Sequence, residues 1–158
     1  MQYNCGMEMQ HPNVGYLVNR ISRLGQRWLD ARLRKLGIAA AAIPVLAILK
    51  AEVTSTQREL ARRIGTEQPT MAQLLKRMER DGLILRTVNP EDARSADVSL
   101  TKRAISLLPT ARREIQKGYE LITADFSDRE LATLTQLLER YLASVEGQLN
   151  VSNSHDRS

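Results

Sequence analysis

The residues whose side chains are best suited to binding another molecule lie on one predicted helix that begins near Gln68. Its apolar residues recur at helical spacing and are expected to face the core; they are Met71, Leu74, Leu75 and Met78. The opposite face is polar and carries Gln68, Pro69, Thr70, Gln73, Lys76, Arg77 and Arg80. Gln can form two hydrogen bonds with an adenine edge, and Lys and Arg neutralise phosphates. This face therefore suits contact with double-stranded DNA, while the solvated outer face of a core helix is the alternative.

A shorter helix is predicted directly before this one. Thr56-Gln-Arg-Glu59 is a capping-box pattern, in which Thr56 and Glu59 satisfy each other's free backbone N–H groups. The helix that it opens ends at Gly65. Two short helices joined by a tight turn with a glycine form a helix-turn-helix unit. The second helix of such a unit fits the major groove, with its N-terminal residues towards the base edges.

Two strand-like runs, Leu83–Val88 and Ala96–Leu100, follow the second helix and predict a β-hairpin. The polar segment 89–95 joins them and places Arg94 at the tip. An arginine on an exposed loop can enter a narrow minor groove, although a solvated turn residue is the alternative. Asp92 is expected to pair with a neighbouring arginine and to hold the shape of the loop. The residues predicted for the DNA-binding wing are Arg86, Asp92, Arg94 and Ser95.

Helical periodicity predicts further helices on both sides of this unit. A first helix runs from Val14 to Leu36 and ends at Gly37. The next is centred on residues 43–49, where Pro44 implies either a late start or a kink. A long helix from Lys102 to about residue 125 is expected to be interrupted or bent near Pro109.

The last predicted helix, capped by Ser127, favours a dimer. Its apolar stripe consists of Leu131, Leu134, Leu138, Tyr141, Leu142 and Val145. A small domain made of this helix-turn-helix and hairpin would leave the stripe exposed, whereas a twofold partner would bury it in an isologous interface. Packing onto the helix that begins at Lys102 is the alternative, and both can hold. A dimer would place two DNA-reading helices about 34 Å apart, which predicts a palindromic site.

The net charge becomes informative once it is divided along the chain. The 158 residues carry a net charge of +5, from 23 Lys and Arg against 18 Asp and Glu. Residues 54–113 contain 12 basic and 7 acidic residues, whereas residues 114–158 contain 4 basic and 8 acidic ones. The basic segment favours a polyanionic partner, although solvated helix faces of uneven charge are the alternative.

Composition predicts a cytoplasmic globular protein. The apolar share of 42% and the charged share of 26% are ordinary for that class. No apolar run approaches the roughly 20 residues that span a membrane, so we expect no membrane contact. Residues 1–10 lack the layout of a signal peptide. The lone Cys5 cannot form an internal disulfide, which suits a reducing compartment.

Together these motifs resemble those of a known family. The matching segments are Gly65-Thr-Glu-Gln-Pro-Thr-Met71, Asp81-Gly-Leu-Ile84, Arg86, Asp92-Ala-Arg94 and Leu100-Thr101. They are similar to the winged helix-turn-helix of the MarR family, and the Glu-Gln-Pro opening resembles its SlyA-like branch. The Asp-x-Arg followed after five residues by Leu-Thr is similar to the family's wing signature. The resemblance extends over residues 12–148.

The resemblance implies a mainly α fold, in which a winged helix-turn-helix with a β-hairpin wing is flanked by N- and C-terminal dimerisation helices. It implies a homodimeric transcriptional regulator whose recognition helix runs from Gln68 to Arg80, with Arg94 as the wing arginine. Leu100 and Thr101 match positions that are structural at the end of the wing. The predicted regions are a DNA-binding domain over 37–101, a helical dimerisation region over 1–36 and 102–150, and a frayed tail over 151–158.

The resemblance also implies a pocket for a small aromatic or phenolic acid between the dimerisation helices and the winged domain. The candidate lining residues are Tyr16, Arg20 and Trp28. Arg20 can pair with a carboxylate. Two positions depart from the family pattern: SlyA-like proteins often carry Arg where this chain has Gln73, and Pro44 is unusual in the helix that helps to line the pocket.

Catalysis, metal binding and cofactor binding find no support in the sequence. There is no Ser/His/Asp set, no glycine-rich phosphate loop and no paired-carboxylate motif, so we do not expect an enzyme. Cys5, His11 and His155 do not have the spacing of a zinc site. Two alternatives remain open. One is a winged-helix module that binds a ligand or a protein without binding DNA, and the other is a regulator that senses oxidants through Cys5, as some members of the family do.

Overall fold

The computed structural model describes residues 13–88 and 96–155, with side chains as far as residue 149. The helices of this part are α1 (Val14–Leu33), α2 (Ile43–Glu52), α3 (Gln57–Ile64), α4 (Gln68–Arg80), α5 (Lys102–Thr123) and α6 (Asp128–His155). The strands are β1 (Thr54–Thr56), β2 (Ile84–Val88) and β3 (Ala96–Leu100). The predicted mainly α, winged helix-turn-helix fold is confirmed. None of the described helices combines the length and the apolar character that crossing a membrane requires.

The ends of α1 and α2 follow from their capping residues. Asn13 accepts a hydrogen bond from the Tyr16 backbone N–H at 2.9 Å and caps α1. A 3₁₀ turn follows α1, and Gly37 ends it with a φ of 66°, a conformation that glycine adopts without strain. Pro44 lies in the first turn of α2. Backbone N–H groups in the first turn make no hydrogen bond within the helix, so a proline there removes none. Of the two predicted alternatives for Pro44, the late start is therefore the one observed.

α5 is continuous through Pro109, so of the two predicted alternatives, an interruption or a bend, the interruption is wrong. A proline inside a helix removes one backbone hydrogen bond and crowds the preceding turn. Here the helix is buried on both sides of the proline, at Ala104 and Ala111. Because tertiary packing supplies most of the stability of a helix, it outweighs the local effect of the proline.

The wing belongs to a sheet with one more strand than the predicted hairpin. β2 and β3 pair antiparallel, with Arg86 opposite Val98. β1 pairs with the other edge of β3, which gives the strand order β1-β3-β2. Three residues are too few to show the alternation that marks a strand in a sequence. Thr56 ends β1 and also caps α3, because its Oγ1 accepts from the Glu59 backbone N–H at 3.2 Å.

The hydrophobic core joins the helix-turn-helix to the elements before and after it. Its fully buried residues include Leu33, Val45, Leu46, Leu60, Met71, Leu75, Ile84, Val98, Ala104 and Ala111. The chain divides into two compact units, one ending at Gln116 and the other beginning at Lys117. The first half of α5 therefore shares a core with the winged helix-turn-helix. The functional division into DNA-binding and dimerisation regions stays a prediction.

The second unit contains a capping box at the start of α6. Ser127 Oγ accepts from the Glu130 backbone N–H at 3.3 Å. In return, the Glu130 carboxylate accepts from the Ser127 backbone N–H at 2.8 Å and from its hydroxyl at 2.7 Å. These bonds to the charged carboxylate lower the pKa of Glu130 from its ordinary value of 4.5. The predicted cap at Ser127 is confirmed by this geometry.

We expect Ser127→Ala to raise the pKa of Glu130 part of the way back to 4.5, because the hydroxyl bond is its largest cause. A lowered pKa in the folded state contributes stability that is present above the ordinary value and is lost as the pH falls through the folded one. The start of α6 is therefore expected to loosen in acid. A pH titration of Glu130 by NMR measures the shift. Ser144→Ala, which removes a hydroxyl bonded only to a helical carbonyl, is the control and should leave this pKa unchanged.

Candidate nucleic-acid interface

α4 presents its polar face to solvent, as its periodicity predicts. Met71, Leu74, Leu75 and Met78 are buried in the core. The exposed residues of the helix include Gln68, Pro69, Thr70, Gln73, Lys76 and Arg77. A shallow depression of about 480 Å³ is lined by Gln73, Lys76, Arg77 and Arg80. Three cations beside a glutamine amide give this end of the face the chemistry of a phosphate and base-edge contact.

The turn between α3 and α4 fixes how the two helices meet. Gly65 has a φ of 70°, which a residue with a Cβ adopts only with strain. The Thr66 backbone N–H closes the end of α3 on the Ala61 carbonyl at 3.0 Å. Across the turn, Gln57 Nε2 donates to Gln68 Oε1 at 3.3 Å. Sequence reasoning did not select Gln57, although its place directly after the Thr56 cap puts it in the first turn of α3.

The base of the wing is tied to α4 by an ion pair. Arg86 Nε on β2 lies 3.4 Å from Glu79 Oε2 on α4, with 28% of the Arg86 side chain exposed. Sequence reasoning selected Arg86 but not Glu79, because no local pattern relates residues on a helix and a strand. The other predicted wing residues, Asp92, Arg94 and Ser95, lie outside the described residues.

The C-terminal end of the wing is held by Thr101. Its hydroxyl donates to the Gly82 carbonyl at 2.7 Å and accepts from the Ala104 backbone N–H at 3.0 Å. One side chain thus joins the start of β2 to the first turn of α5. The structural role that the resemblance implies for Leu100 and Thr101 has this physical basis at Thr101.

Two further ion pairs occupy the surface of the helix-turn-helix. Arg80 Nε lies 2.9 Å from Asp81 Oδ1, and this hydrogen bond raises the pKa of Arg80. Arg62 on α3 donates to Glu59, which lowers the pKa of that carboxyl. All four side chains are at least 38% exposed, so salt screens these pairs and they contribute little to folding stability. Lys76 and Arg77 carry no such pairing in the described structure and are free to meet phosphates.

A cavity of about 560 Å³ lies between α2 and α5. Its wall is mostly apolar and includes Ile43, Leu46, Leu108, Pro109 and Ile115. Lys50, Arg112 and Arg113 add positive charge, and no acidic residue lines the cavity. An apolar site with a few cations suits a small amphipathic anion. Sequence reasoning missed this cavity, because its walls come from helices about 60 residues apart along the chain.

The three residues predicted to bind a ligand do not line that cavity. Arg20 Nη1 donates to the Tyr16 hydroxyl at 3.1 Å, and both side chains are exposed on α1. Trp28 lies against the guanidinium of Arg32, 5.0 Å from the ring centre, and Arg32 pairs with Glu114 at 3.2 Å. Trp28 thus lies against an arginine of its own helix, and that arginine pairs with α5. A ligand at Tyr16, Arg20 and Trp28 stays a prediction.

Metal-binding residues do not cluster in the part of the chain that the structure describes: no three His, Cys, Asp or Glu side chains come together there. Cys5 and His11 lie outside this part, and so does the side chain of His155.

Comparison with known proteins decides the family. A sequence model of the MarR family matches residues 39–96, from four residues before α2 to the first residue of β3. The homoprotocatechuate degradative operon repressor of Escherichia coli is 35% identical over 99 residues, which are 63% of this chain and 67% of the repressor. The chain belongs to the MarR family. It is a transcriptional regulator, and the prediction that it is not an enzyme is confirmed by these relatives.

Solved structures of MarR regulators share this fold. A regulator from Methanosarcina mazei superposes with a TM-score of 0.76 at 23% identity, over 85% of this chain and 96% of its own. A variant of Escherichia coli MarR in complex with operator DNA gives a TM-score of 0.75 at 26% identity. That alignment covers 82% of this chain and 93% of the DNA-bound one. The MarR fold thus extends well beyond the segment that the family model matches.

Proposed function

We propose that this MarR-family regulator is a homodimer that binds a palindromic operator through α4 and the wing. The observation that carries the proposal is the composition of the exposed face of α4. Its N-terminal half offers Gln and Thr groups that can bind base edges, and its C-terminal half offers Lys76 and Arg77 to phosphates. A similar structure, the MarR variant, is itself bound to operator DNA. Arg94, outside the described residues, remains the predicted wing contact.

The dimer is supported by apolar side chains that a single chain leaves exposed. On α6, five residues of the predicted stripe are exposed, Leu134, Leu138, Tyr141, Leu142 and Val145, and Leu131 is half-buried. On α1, the exposed apolar residues include Val14, Leu17, Ile21 and Leu24. Exposed apolar stripes along helices are typical of an interface. A twofold partner would bury both sets, and its symmetry would require a palindromic site.

An effector is the second part of the proposal, and we place it in the cavity between α2 and α5. The cavity volume of about 560 Å³ lies in the range of small-molecule sites. Arg112 and Arg113 can bind a carboxylate while the apolar wall packs on a ring. The 35% identical relative is named for the homoprotocatechuate degradative operon, which makes this aromatic acid the first compound to test. A protein that binds operator DNA in this way would work in the cytoplasm.

We expect Arg77→Ala to weaken operator binding and to reduce its salt dependence. Each phosphate contact contributes about 0.9 to the slope of log K against log salt, so the loss from both subunits should reduce the slope by about 2. The operator is first selected from a random DNA pool, which should return an inverted repeat. Fluorescence anisotropy at several salt concentrations then compares Arg77→Ala with Arg140→Ala, which removes one positive charge from α6. An unchanged slope in Arg77→Ala contradicts this contact, and a parent that binds no duplex at low salt favours a module without DNA binding.

We expect homoprotocatechuate to bind the cavity and to change the affinity for the operator. Arg112→Gln and Arg113→Gln should each raise the Kd of the compound by roughly tenfold, since each removes a charge-assisted bond to the carboxylate. Calorimetric titration of the full chain measures this Kd. Arg20→Gln is the matched control, because it changes the arginine predicted from the sequence and leaves the cavity intact. A larger effect of Arg20→Gln than of Arg112→Gln would move the site to α1.

A further inference from the structure

Arg86 differs from the other cations of the proposed DNA-binding surface because its Nε is buried. Within residues 13–88 and 96–155, no hydrogen bond reaches this atom. The Glu79 carboxylate on α4 lies 3.4 Å from it. By contrast, Lys76 and Arg77 project from the exposed face of the same helix. The buried Nε atom of Arg86 thus lies beside a carboxylate, while 28% of the side chain remains exposed.

We infer that Glu79 is a positioning residue for operator binding and acts by holding the Arg86 guanidinium. The inference rests on the proposed function, because it concerns how α4 and the wing are arranged for DNA. Glu79 has 47% of its side chain exposed, and it carries the wrong charge for a phosphate contact. Its value to a DNA-binding surface therefore lies in the arginine that it orients.

The geometry of arginine explains how one side chain can serve both roles. A guanidinium is planar and presents five N–H donors, which point along different edges of the group. The Nε atom lies beside Glu79 Oε2, and the side chain is 28% exposed, so we expect the terminal amino groups to be the donors that meet a phosphate. An arginine already fixed in one orientation loses less rotamer freedom when it binds. The pair also joins β2 to α4, so the wing and the recognition helix would approach DNA in a fixed relative orientation.

A mechanism based only on net charge predicts the opposite effect of removing Glu79 on operator affinity, and this difference provides the test. Removing an acidic residue from a DNA-facing surface strengthens binding when only the long-range field matters. If Glu79 merely competed with DNA for Arg86, its removal would also strengthen binding. If Glu79 positions Arg86, its removal should weaken binding although the net charge becomes more favourable. The sign of the change separates these mechanisms.

The experiment compares Glu79→Ala with Glu67→Ala in the full chain on the selected operator. Glu67 is an exposed acid that precedes α4 and makes no side-chain capping bond. Its removal therefore measures only how the loss of one negative charge affects operator binding. We expect Glu79→Ala to weaken binding by roughly tenfold, the loss of about one charge-assisted contact. The slope of log K against log salt should fall by about 2, since each subunit loses a phosphate contact. Glu67→Ala should bind at least as tightly as the parent.

A double variant distinguishes action through Arg86 from a general structural effect. If Glu79 acts only through Arg86, then Glu79→Ala combined with Arg86→Ala should bind as Arg86→Ala alone does. If the effects of the two substitutions on the Kd for the operator multiply instead, the inference is overturned. A Glu79→Ala protein that binds as tightly as the parent, or more tightly, would also overturn it. Glu79→Gln, which keeps the shape of the side chain, serves the same comparison if the alanine variant unfolds. A parent that binds no duplex defeats the proposed function, whereas a binding parent with an unaffected Glu79→Ala defeats this inference alone.

Discussion

Replacing Leu138 with glutamate is expected to convert the proposed dimer into a monomer and to lower operator affinity on the order of a thousandfold. Leu138 lies in the middle of the apolar stripe of α6 and is 44% exposed in the single chain. In a twofold interface the same position occurs on both subunits, so one substitution introduces two carboxylates. Burying an unpaired carboxylate is unfavourable, so we expect the two subunits to dissociate and leave both carboxylates in water.

The large effect on DNA follows from linking two half-sites. A dimer binds its second half-site at a high effective concentration, which a monomer lacks. Gln136→Glu is the matched control, because it adds the same charge about half a turn away from the stripe. Sedimentation velocity measures the oligomeric state, and anisotropy measures the Kd for the operator. A Leu138→Glu protein that stays dimeric would show that this stripe is not the interface.

Replacing Leu75 with alanine is expected to lower the free energy of unfolding by about 3 kcal/mol. Leu75 on α4 is fully buried and belongs to the core that contains Leu60 and Met71. Its truncation removes apolar contacts and leaves a cavity that a well-packed core closes only in part. Because small domains are stable by only about 5–15 kcal/mol, this change is a large fraction of the total.

Leu85→Ala is the control for this prediction because it makes the same chemical change at an exposed site. Leu85 on β2 is 54% exposed, so its loss should change the free energy of unfolding by no more than about 0.5 kcal/mol. Urea denaturation of both variants at one fixed protein concentration measures the difference, since unfolding of a dimer depends on concentration. A Leu75→Ala protein as stable as Leu85→Ala would mean that the α4 face is not packed as described.

Local patterns were sufficient to predict most of the elements. The spacing of Met71 and Leu75 determined which face of α4 is buried, because helix geometry repeats every 3.6 residues. Gly37 and Gly65 marked helix ends, since their backbone conformations favour glycine. β1 and the continuity of α5 through Pro109 were not predicted. Both depend on partners distant in the chain, β3 for the strand and the core around Ala111 for the helix.

Local sequence patterns also selected some residues of the candidate site and missed others. Residues whose role depends on one helix face, such as Gln73 and Arg77, could be selected from their spacing. Glu79 and Gln57 could not, because their roles come from contacts with Arg86 on β2 and with Gln68 across the turn. The α2–α5 cavity also escaped prediction.

The amino-acid sequence by itself determined the helix-turn-helix, its polar face, the hairpin and the family. These features follow from periodicity, capping and turn residues that act within about ten residues of one another. Only the tertiary structure decided that Arg86 lies beside Glu79 and that Lys50, Arg112 and Arg113 share one cavity. Such pairings depend on how separate elements pack, and side-chain packing in three dimensions has no short-range signature in the chain.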